Sequence, residues 1–219
     1  MASALRLVSL SAVLVPLARR GALSRMGRLY PWLIALGCAA LFGLSRGARD
    51  VRPAAVVAAA LGLMSWAAGA VALEGAMVAE PDDRERGLRA VATERGFSLA
   101  EQEWARDLAT IRVVARSVAL PGTLLALVAA LCAPGGDRLA LAVALVPRAL
   151  VYAVTLGAVL GGIARLCARA LPRYGRILFV VVVLGPSAWP SKTGPSPSIP
   201  AAFSAALHRA SSLGGGASG

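Results

Sequence analysis

The amino-acid sequence alternates between long apolar runs and short clusters of arginine. Three of the runs, 29–45, 53–73 and 117–133, contain no charged residue. Because a transmembrane helix needs about 20 consecutive apolar residues, each run predicts a membrane span. A fourth run, 139–164, is also long enough, but it carries Pro147 and Arg148 about a third of the way along.

A fifth apolar segment begins at Ile177 and meets Pro186 early. It is expected either to span the membrane with help from its flanks or to enter the membrane and return. The pattern predicts an all-α, polytopic membrane helix bundle of about five spans, with a sixth re-entrant or interfacial C-terminal element as the alternative. The predicted regions are an interfacial helix in 1–28, transmembrane hairpins in 29–73 and 117–164, a polar helix pair in 74–116, a basic loop and fifth span in 165–189, and a Pro/Ser/Gly-rich tail with a short interfacial helix in 190–219.

The segment before the first span is apolar but short. Residues 4–18 are closed by Arg19 and Arg20, so the positive charge follows the apolar stretch, whereas a signal peptide has it in front. No convincing Ala-x-Ala cleavage site follows. An interfacial helix along the cytoplasmic leaflet is therefore predicted, with an uncleaved membrane anchor as the alternative.

The one polar stretch, 74–116, contains most of the acidic residues of the chain. Pro81 precedes a turn, Asp82 and Glu85 stand four residues before Arg86 and Arg89, and Gly96 is suitably placed to end a helix. These signals predict a helix over about 82–95, with the acidic residues mostly paired to arginines within it.

A second helix is predicted directly after Gly96 and Phe97. Ser98 and Glu101 have the spacing of a capping box. Beyond them, a stripe at helical spacing leads into the run 117–133: Trp104, Leu108, Ile111 and Ala115. We expect this helix and the preceding one to form a pair on the cytoplasmic face.

Composition and charge support the membrane assignment. The chain is 58% hydrophobic and 16% charged, with a mean hydropathy of +0.70, which is typical of a membrane protein. The net charge is +12, but the basic residues flank apolar runs instead of forming a polar face, so no nucleic acid partner is predicted. Placing the N-terminus inside puts most of the arginines on the cytoplasmic side, as in a multi-pass protein of the inner (cytoplasmic) membrane.

Several kinds of chemistry lack the residues that they need. The predicted spans contain no Asp or Glu, which disfavours ion-coupled carriers and intramembrane aspartyl chemistry. The chain has no P-loop motif, and Cys38, Cys132 and Cys167 have neither CxxC spacing nor a histidine cluster, because His208 is the only histidine. We therefore predict no enzyme activity, no catalytic residue, no metal site and no cofactor, and we expect the cysteines to be small apolar packing residues.

Arg148 is the one charge expected at membrane depth. Its burial costs about 2.5–3.5 kcal/mol on insertion scales, so it is a candidate to meet a lipid phosphate or an anionic substrate. The alternative is that Pro147 breaks the helix and that 139–146 forms a separate half-helix, which would place Arg148 at a wet boundary. In the same run, Gly157 and Gly161 have the GxxxG spacing that permits close helix packing.

The order of these regions resembles the transmembrane permease subunit of type-2 ABC exporters. The residues that carry the resemblance are the charged stretch 82–89, the Arg95-Gly-Phe turn and the 103–106 helix. They are similar to the family's coupling region, which follows span two and contacts the ATPase subunit. The family usually has six spans with re-entrant half-helices after the fifth, whereas this chain has no clear sixth.

The resemblance implies partners and a function. The partners would be an ATP-binding cassette subunit, lipids, and a second membrane subunit in a homo- or heterodimer. The function would be ATP-driven export of a hydrophobic or lipid-linked substrate. Residues that would couple the chain to its partner are Arg86, Leu88, Arg89, Phe97 and Trp104. The competing interpretation is a non-transporting membrane scaffold or accessory subunit that docks a cytoplasmic partner.

Overall fold

The computed structural model describes residues 2–18, 22–44, 53–75, 83–133, 138–171 and 173–188. Within these ranges the chain is helical and contains no strand, as predicted. The helices are α1 (Ala2–Ala18), α2 (Ala22–Leu44), α3 (Pro53–Gly75), α4 (Asp83–Glu94), α5 (Leu99–Cys132), α6 (Arg138–Ala170) and α7 (Gly175–Ala188). The predicted tail, 190–219, lies outside the described residues.

Three helices of the described chain are long and apolar enough to cross a membrane: Pro53–Glu74, Leu99–Cys132 and Arg138–Ala170. The apolar part of α2 is shorter, Met26–Leu41. The 14 residues of α7 extend about 21 Å, which is less than the hydrocarbon core of about 30 Å. The described residues are thus all-helical with three candidate membrane spans, which indicates a membrane protein, and a count of five spans stays a prediction.

The core lies where α3, α5 and α6 meet. Its largest fully buried side chains come from all three helices and include Leu61, Met64, Leu125, Leu156 and Leu160. A buried hydrogen bond from the Tyr152 hydroxyl of α6 to the Leu61 carbonyl oxygen of α3 measures 3.3 Å. The cysteines are packing residues as predicted, since Cys167 belongs to this core and Cys38 and Cys132 pack against it.

The closest helix contact joins α5 and α6. A Cβ atom added to Gly157 would lie 2.6 Å from the Ala115 Cβ and 2.8 Å from the Ala115 backbone nitrogen. One turn further along, a Cβ on Gly161 would lie 3.0 Å from the Ile111 Cα. The GxxxG spacing therefore does what small residues do between membrane helices, which is to let two backbones approach closely.

The predicted N-terminal region, 1–28, contains all of α1 and the first residues of α2. The helix α1 continues past Pro16 to Ala18, and α2 already begins at Ala22. Arg25 and Arg28 thus belong to α2, the helix of the first predicted span. Helical geometry begins at Ala22, before the apolar run that starts at Leu29, and the membrane boundary at residue 28 stays a prediction.

The helix α6 is continuous through Pro147. The alternative of a separate half-helix over 139–146, ended by Pro147, is therefore wrong. Arg148 lies on this unbroken helix and its side chain is exposed in the single chain.

Two glycines of α6, one packed against α5 and one in open space, provide a matched test of the α5–α6 contact. Gly157→Ala should destabilise the protein by about 1–3 kcal/mol, the usual cost of overpacking, because relief requires α5 to move. Gly162→Ala should have no such cost, because no atom lies within 4 Å of its added Cβ. Thermal unfolding in detergent measures both, and equal midpoints for the two variants would contradict the close α5–α6 packing.

Candidate functional site

The turn between α4 and α5 is fixed by backbone hydrogen bonds. Gly96 has a φ of +75°, its N–H donates to the Thr93 carbonyl oxygen at 2.9 Å, and the Phe97 N–H donates to the Ala92 carbonyl oxygen at 3.0 Å. This pattern is a Schellman motif, in which a glycine adopts the left-handed conformation that ends a helix. The predicted stop at Gly96 is confirmed.

A capping box begins α5, also as predicted. The Glu101 N–H donates to the Ser98 Oγ at 3.2 Å, and the Ser98 N–H donates to the Glu101 Oε2 at 2.8 Å. The two contacts satisfy backbone groups that have no partner inside the helix. The direction in which α5 leaves the turn is therefore set by residues 96–101.

Gln102 connects the first turn of α5 back to α4. Gln102 is only 4% exposed. Its Nε2 donates to the Thr93 Oγ1 at 3.1 Å and to the Phe97 carbonyl oxygen at 3.2 Å. The Gln102 Oε1 is buried and accepts no hydrogen bond. The amide thus holds α4 against α5 but keeps one acceptor unused.

An ion-pair chain joins α4, α5 and α6. Arg89 of α4 donates to Glu103 of α5 at 2.8 Å. Arg165 of α6 donates to Glu103 at 2.9 Å and to Asp107 at 2.6 Å, and Arg169 donates to Asp107 at 2.6 Å. Two carboxylates one turn apart on α5 therefore face two arginines one turn apart on α6.

The ion pairs of this network differ in strength because their side chains differ in burial. The side chain of Arg165 is 6% exposed and that of Asp107 is 14% exposed, whereas Arg169 is 42% exposed. Removing one partner of a buried pair leaves an uncompensated charge and typically costs about 3–5 kcal/mol, while exposed pairs contribute at most about 1 kcal/mol. The Arg165–Asp107 pair is thus the part of the network that fixes α5 against α6.

Sequence reasoning missed this network. Arg89 donates to Glu103 of α5, a contact that the sequence pattern did not indicate. The pairs Asp82–Arg86 and Glu85–Arg89 stay predictions, because the side chains of Asp82 and Glu85 lie outside the described residues. A usable signal was present: the carboxylates of Glu103 and Asp107 and the guanidiniums of Arg165 and Arg169 share the same four-residue spacing on two antiparallel helices.

Helix α1 lies against the α4–α5 turn. The Arg6 guanidinium stacks over the Phe97 ring at 5.0 Å, and its Nη2 donates to the Arg95 carbonyl oxygen at 3.4 Å. From α5, the Arg112 Nη1 donates to the Ser11 Oγ at 2.5 Å and to the Val8 carbonyl oxygen at 3.1 Å. The interfacial helix predicted from the sequence is therefore an integral wall of this site.

The predicted coupling residues fall into two groups. Leu88 packs against the hydrophobic core, Arg89 is paired, and Phe97 is half-buried beneath Arg6. Arg86 is exposed, and Trp104 is 65% exposed. The structure thus directs three of the five toward α1 and α5, and it leaves Arg86 and Trp104 on the outer surface.

Arg148 is not part of this constellation. It lies 17 residues before Arg165 on the same helix, a separation of about 26 Å at 1.5 Å per residue. Arg148, which is predicted to lie at membrane depth, and the α4–α5 turn are therefore separate features of the molecule.

Comparison with known proteins gives no relative, since no family model, no curated protein and no solved structure matches the chain.

The ion-pair chain generates a prediction about stability. Asp107→Asn should lower the free energy of unfolding by about 3 kcal/mol, because it leaves the buried Arg165 with only Glu103 as its partner. Arg169→Gln, which removes the exposed pair to the same carboxylate, should cost no more than about 1 kcal/mol. Denaturant titration in detergent compares the two variants, and a larger loss for Arg169→Gln would refute the assignment.

Proposed function

We propose that this chain is an integral membrane subunit of an ATP-driven exporter, which couples a separate ATPase subunit to the movement of a hydrophobic or lipid-linked substrate. The observation that carries the proposal is the attachment of α4 to an unbroken α5. The Schellman motif, the capping box and Gln102 fasten α4 to the first turn of α5, and α5 then continues for 34 residues. A displacement of α4 is therefore transmitted along about 50 Å of helix.

The proposed topology places the α4–α5 turn in the cytoplasm. It takes α2, α3, α5, α6 and α7 as the five spans, with the N-terminus inside. The distribution of arginines supports it, because the stretch 84–116 and the stretch 165–176, which covers the end of α6 and the start of α7, are rich in arginine.

The proposed docking surface for the ATPase is the outer face of the α4–α5 turn. Exposed Arg86 supplies a guanidinium for carboxylates of the partner, and exposed Trp104 supplies a large apolar side chain of the kind enriched in interfaces. Motion received there passes through the Arg165–Asp107 pair into α6. In this proposal the substrate path lies between two membrane subunits, and the exposed Arg148 meets the anionic part of the cargo.

A non-transporting scaffold or accessory subunit is the second candidate. The tight packing of Gly157 and Gly161 against α5 is compatible with it, because it leaves no passage between these two helices and a substrate path would require a second membrane subunit. The two candidates differ in whether the chain stimulates ATP turnover of its partner.

Cysteine labelling tests the topology. In a background with Cys38, Cys132 and Cys167 replaced, a cysteine at position 90, which is exposed, should react with a membrane-impermeant reagent only from the cytoplasmic side. A cysteine at position 136 should react only from the opposite side. Labelling of both positions from the same face would exclude five spans.

Paired substitutions test the docking surface. Arg86→Ala combined with Trp104→Ala should reduce co-purification of the ATPase by about tenfold, the loss that corresponds to about 1.4 kcal/mol. Trp66→Ala is the matched control, because Trp66 is also an exposed tryptophan but lies on α3. Undiminished co-purification in the double variant would place the ATPase elsewhere, and association without stimulated ATP hydrolysis would identify the accessory subunit.

A further inference from the structure

An apolar groove runs between α1 and α4. Its cavity has a volume of about 260 Å³, with Leu10, Val13 and Leu14 on one wall and Leu88 and Val91 on the other. Val13 is 53% exposed and Val91 is 45% exposed, so the groove is open along its rim. Apolar side chains that line an open groove are the typical contact surface for a hydrophobic ligand.

A narrow crevice shares the inner walls of this groove and reaches Gln102. It has a volume of about 20 Å³, enough for one water-sized group, and shares Leu10, Leu14 and Leu88 with the groove. The Gln102 Oε1 is the buried acceptor that accepts no hydrogen bond. Because buried polar atoms are normally paired, such an atom at a cavity marks a place for a donor group.

The charged side chains that line the two spaces are all arginines. Arg95 lines the groove, and Arg89 and Arg106 line the crevice. Among the described residues, no acidic side chain lines either space. The site therefore combines guanidinium groups, an unused hydrogen-bond acceptor and an apolar wall, which together fit an amphiphilic anion that carries a hydroxyl group.

We propose that the groove between α1 and α4 binds one anionic phospholipid whose headgroup carries a hydroxyl. The phosphate contacts the guanidiniums of Arg95 and Arg106, the hydroxyl donates to the Gln102 Oε1, and an acyl chain lies along Leu10, Leu14 and Leu88. Helix α1 brings the groove to the membrane surface, where such lipids are abundant and where arginines attract them.

The apolar wall distinguishes a lipid from a soluble phosphate. A free phosphate ester would use only the basic end of the site and would leave the cavity beside Val13 and Val91 unfilled. This proposal is independent of the exporter function, since an accessory subunit would have the same groove.

The first test compares lipids on the purified full-length chain. Native mass spectrometry after washing in neutral detergent should find phosphatidylglycerol retained on the chain and phosphatidylcholine lost. Phosphatidylmethanol has the same charge but no headgroup hydroxyl, so about threefold weaker retention is expected for it, and Gln102→Leu should abolish that difference. Equal retention of phosphatidylcholine, or equal retention of both anionic lipids by the parent chain, would overturn the proposal.

Charge-matched variants show whether the lipid occupies this groove. Arg95→Gln with Arg106→Gln should reduce phosphatidylglycerol retention by about tenfold. Arg116→Gln with Arg173→Gln removes the same charge from exposed positions outside the groove and should have little effect. Equal losses in the two double variants would show non-specific attraction and overturn the proposal.

A second pair of variants changes the groove wall and leaves its arginines in place. Val91→Glu places a negative charge on the groove wall at an exposed position and should abolish retention, while Ala90→Glu places it on the neighbouring exposed residue, which does not line the groove. Unchanged retention in Val91→Glu would refute the site. Displacement of phosphatidylglycerol by glycerol phosphate alone would show a soluble phosphate ligand and would also overturn the lipid assignment.

Discussion

The close approach of α5 and α6 is the constraint on which the other contacts depend. Between helices in lipid there is no hydrophobic driving force, so association rests on van der Waals packing and polar contacts. Gly157 and Gly161 let the two backbones meet, and one turn further the same register brings Arg165 within 2.6 Å of Asp107. A larger residue at either glycine would separate the helices and would lengthen the buried ion pair at the same time.

The Arg165–Asp107 pair and the neighbouring Glu103 together hold α4, α5 and α6 as one unit. Glu103 is shared between Arg89 of α4 and Arg165 of α6, so a movement of α4 acts on both long helices. Helix α1 is held against the same region by two contacts: Arg6 of α1 donates to the Arg95 carbonyl oxygen, and Arg112 of α5 donates to the Ser11 hydroxyl of α1. In the proposed exporter, the relative motion would then occur between this unit and α2–α3 or a second membrane subunit, and a lipid bound beside α1 would influence it.

Local signals predicted the parts of the site that are formed by neighbouring residues. Gly96, Ser98 and Glu101 were found from the sequence because a helix stop and a capping box depend on contacts within about five residues. The tertiary contacts of Leu88 and Phe97 could not be predicted in this way. Leu88 packs against the hydrophobic core and Phe97 lies under Arg6, which is far away in the sequence, so no local pattern specifies these contacts. The helix α6 likewise continues through Pro147, although a proline removes a backbone hydrogen bond and disfavours a helix interior.

In the proposed exporter, the unbroken α6 would also restrict how a second membrane subunit meets this one. Continuing the Ala115–Gly157 register for nine residues places Arg148 level with Leu124, near the middle of the apolar run 117–133. An exposed guanidinium at that depth is costly unless an anion or water meets it, and the predicted spans contain no carboxylate. A symmetric dimer with the two Arg148 side chains in contact would add repulsion between like charges. In the proposed exporter, the faces that carry Arg148 are therefore best separated by the anionic cargo itself.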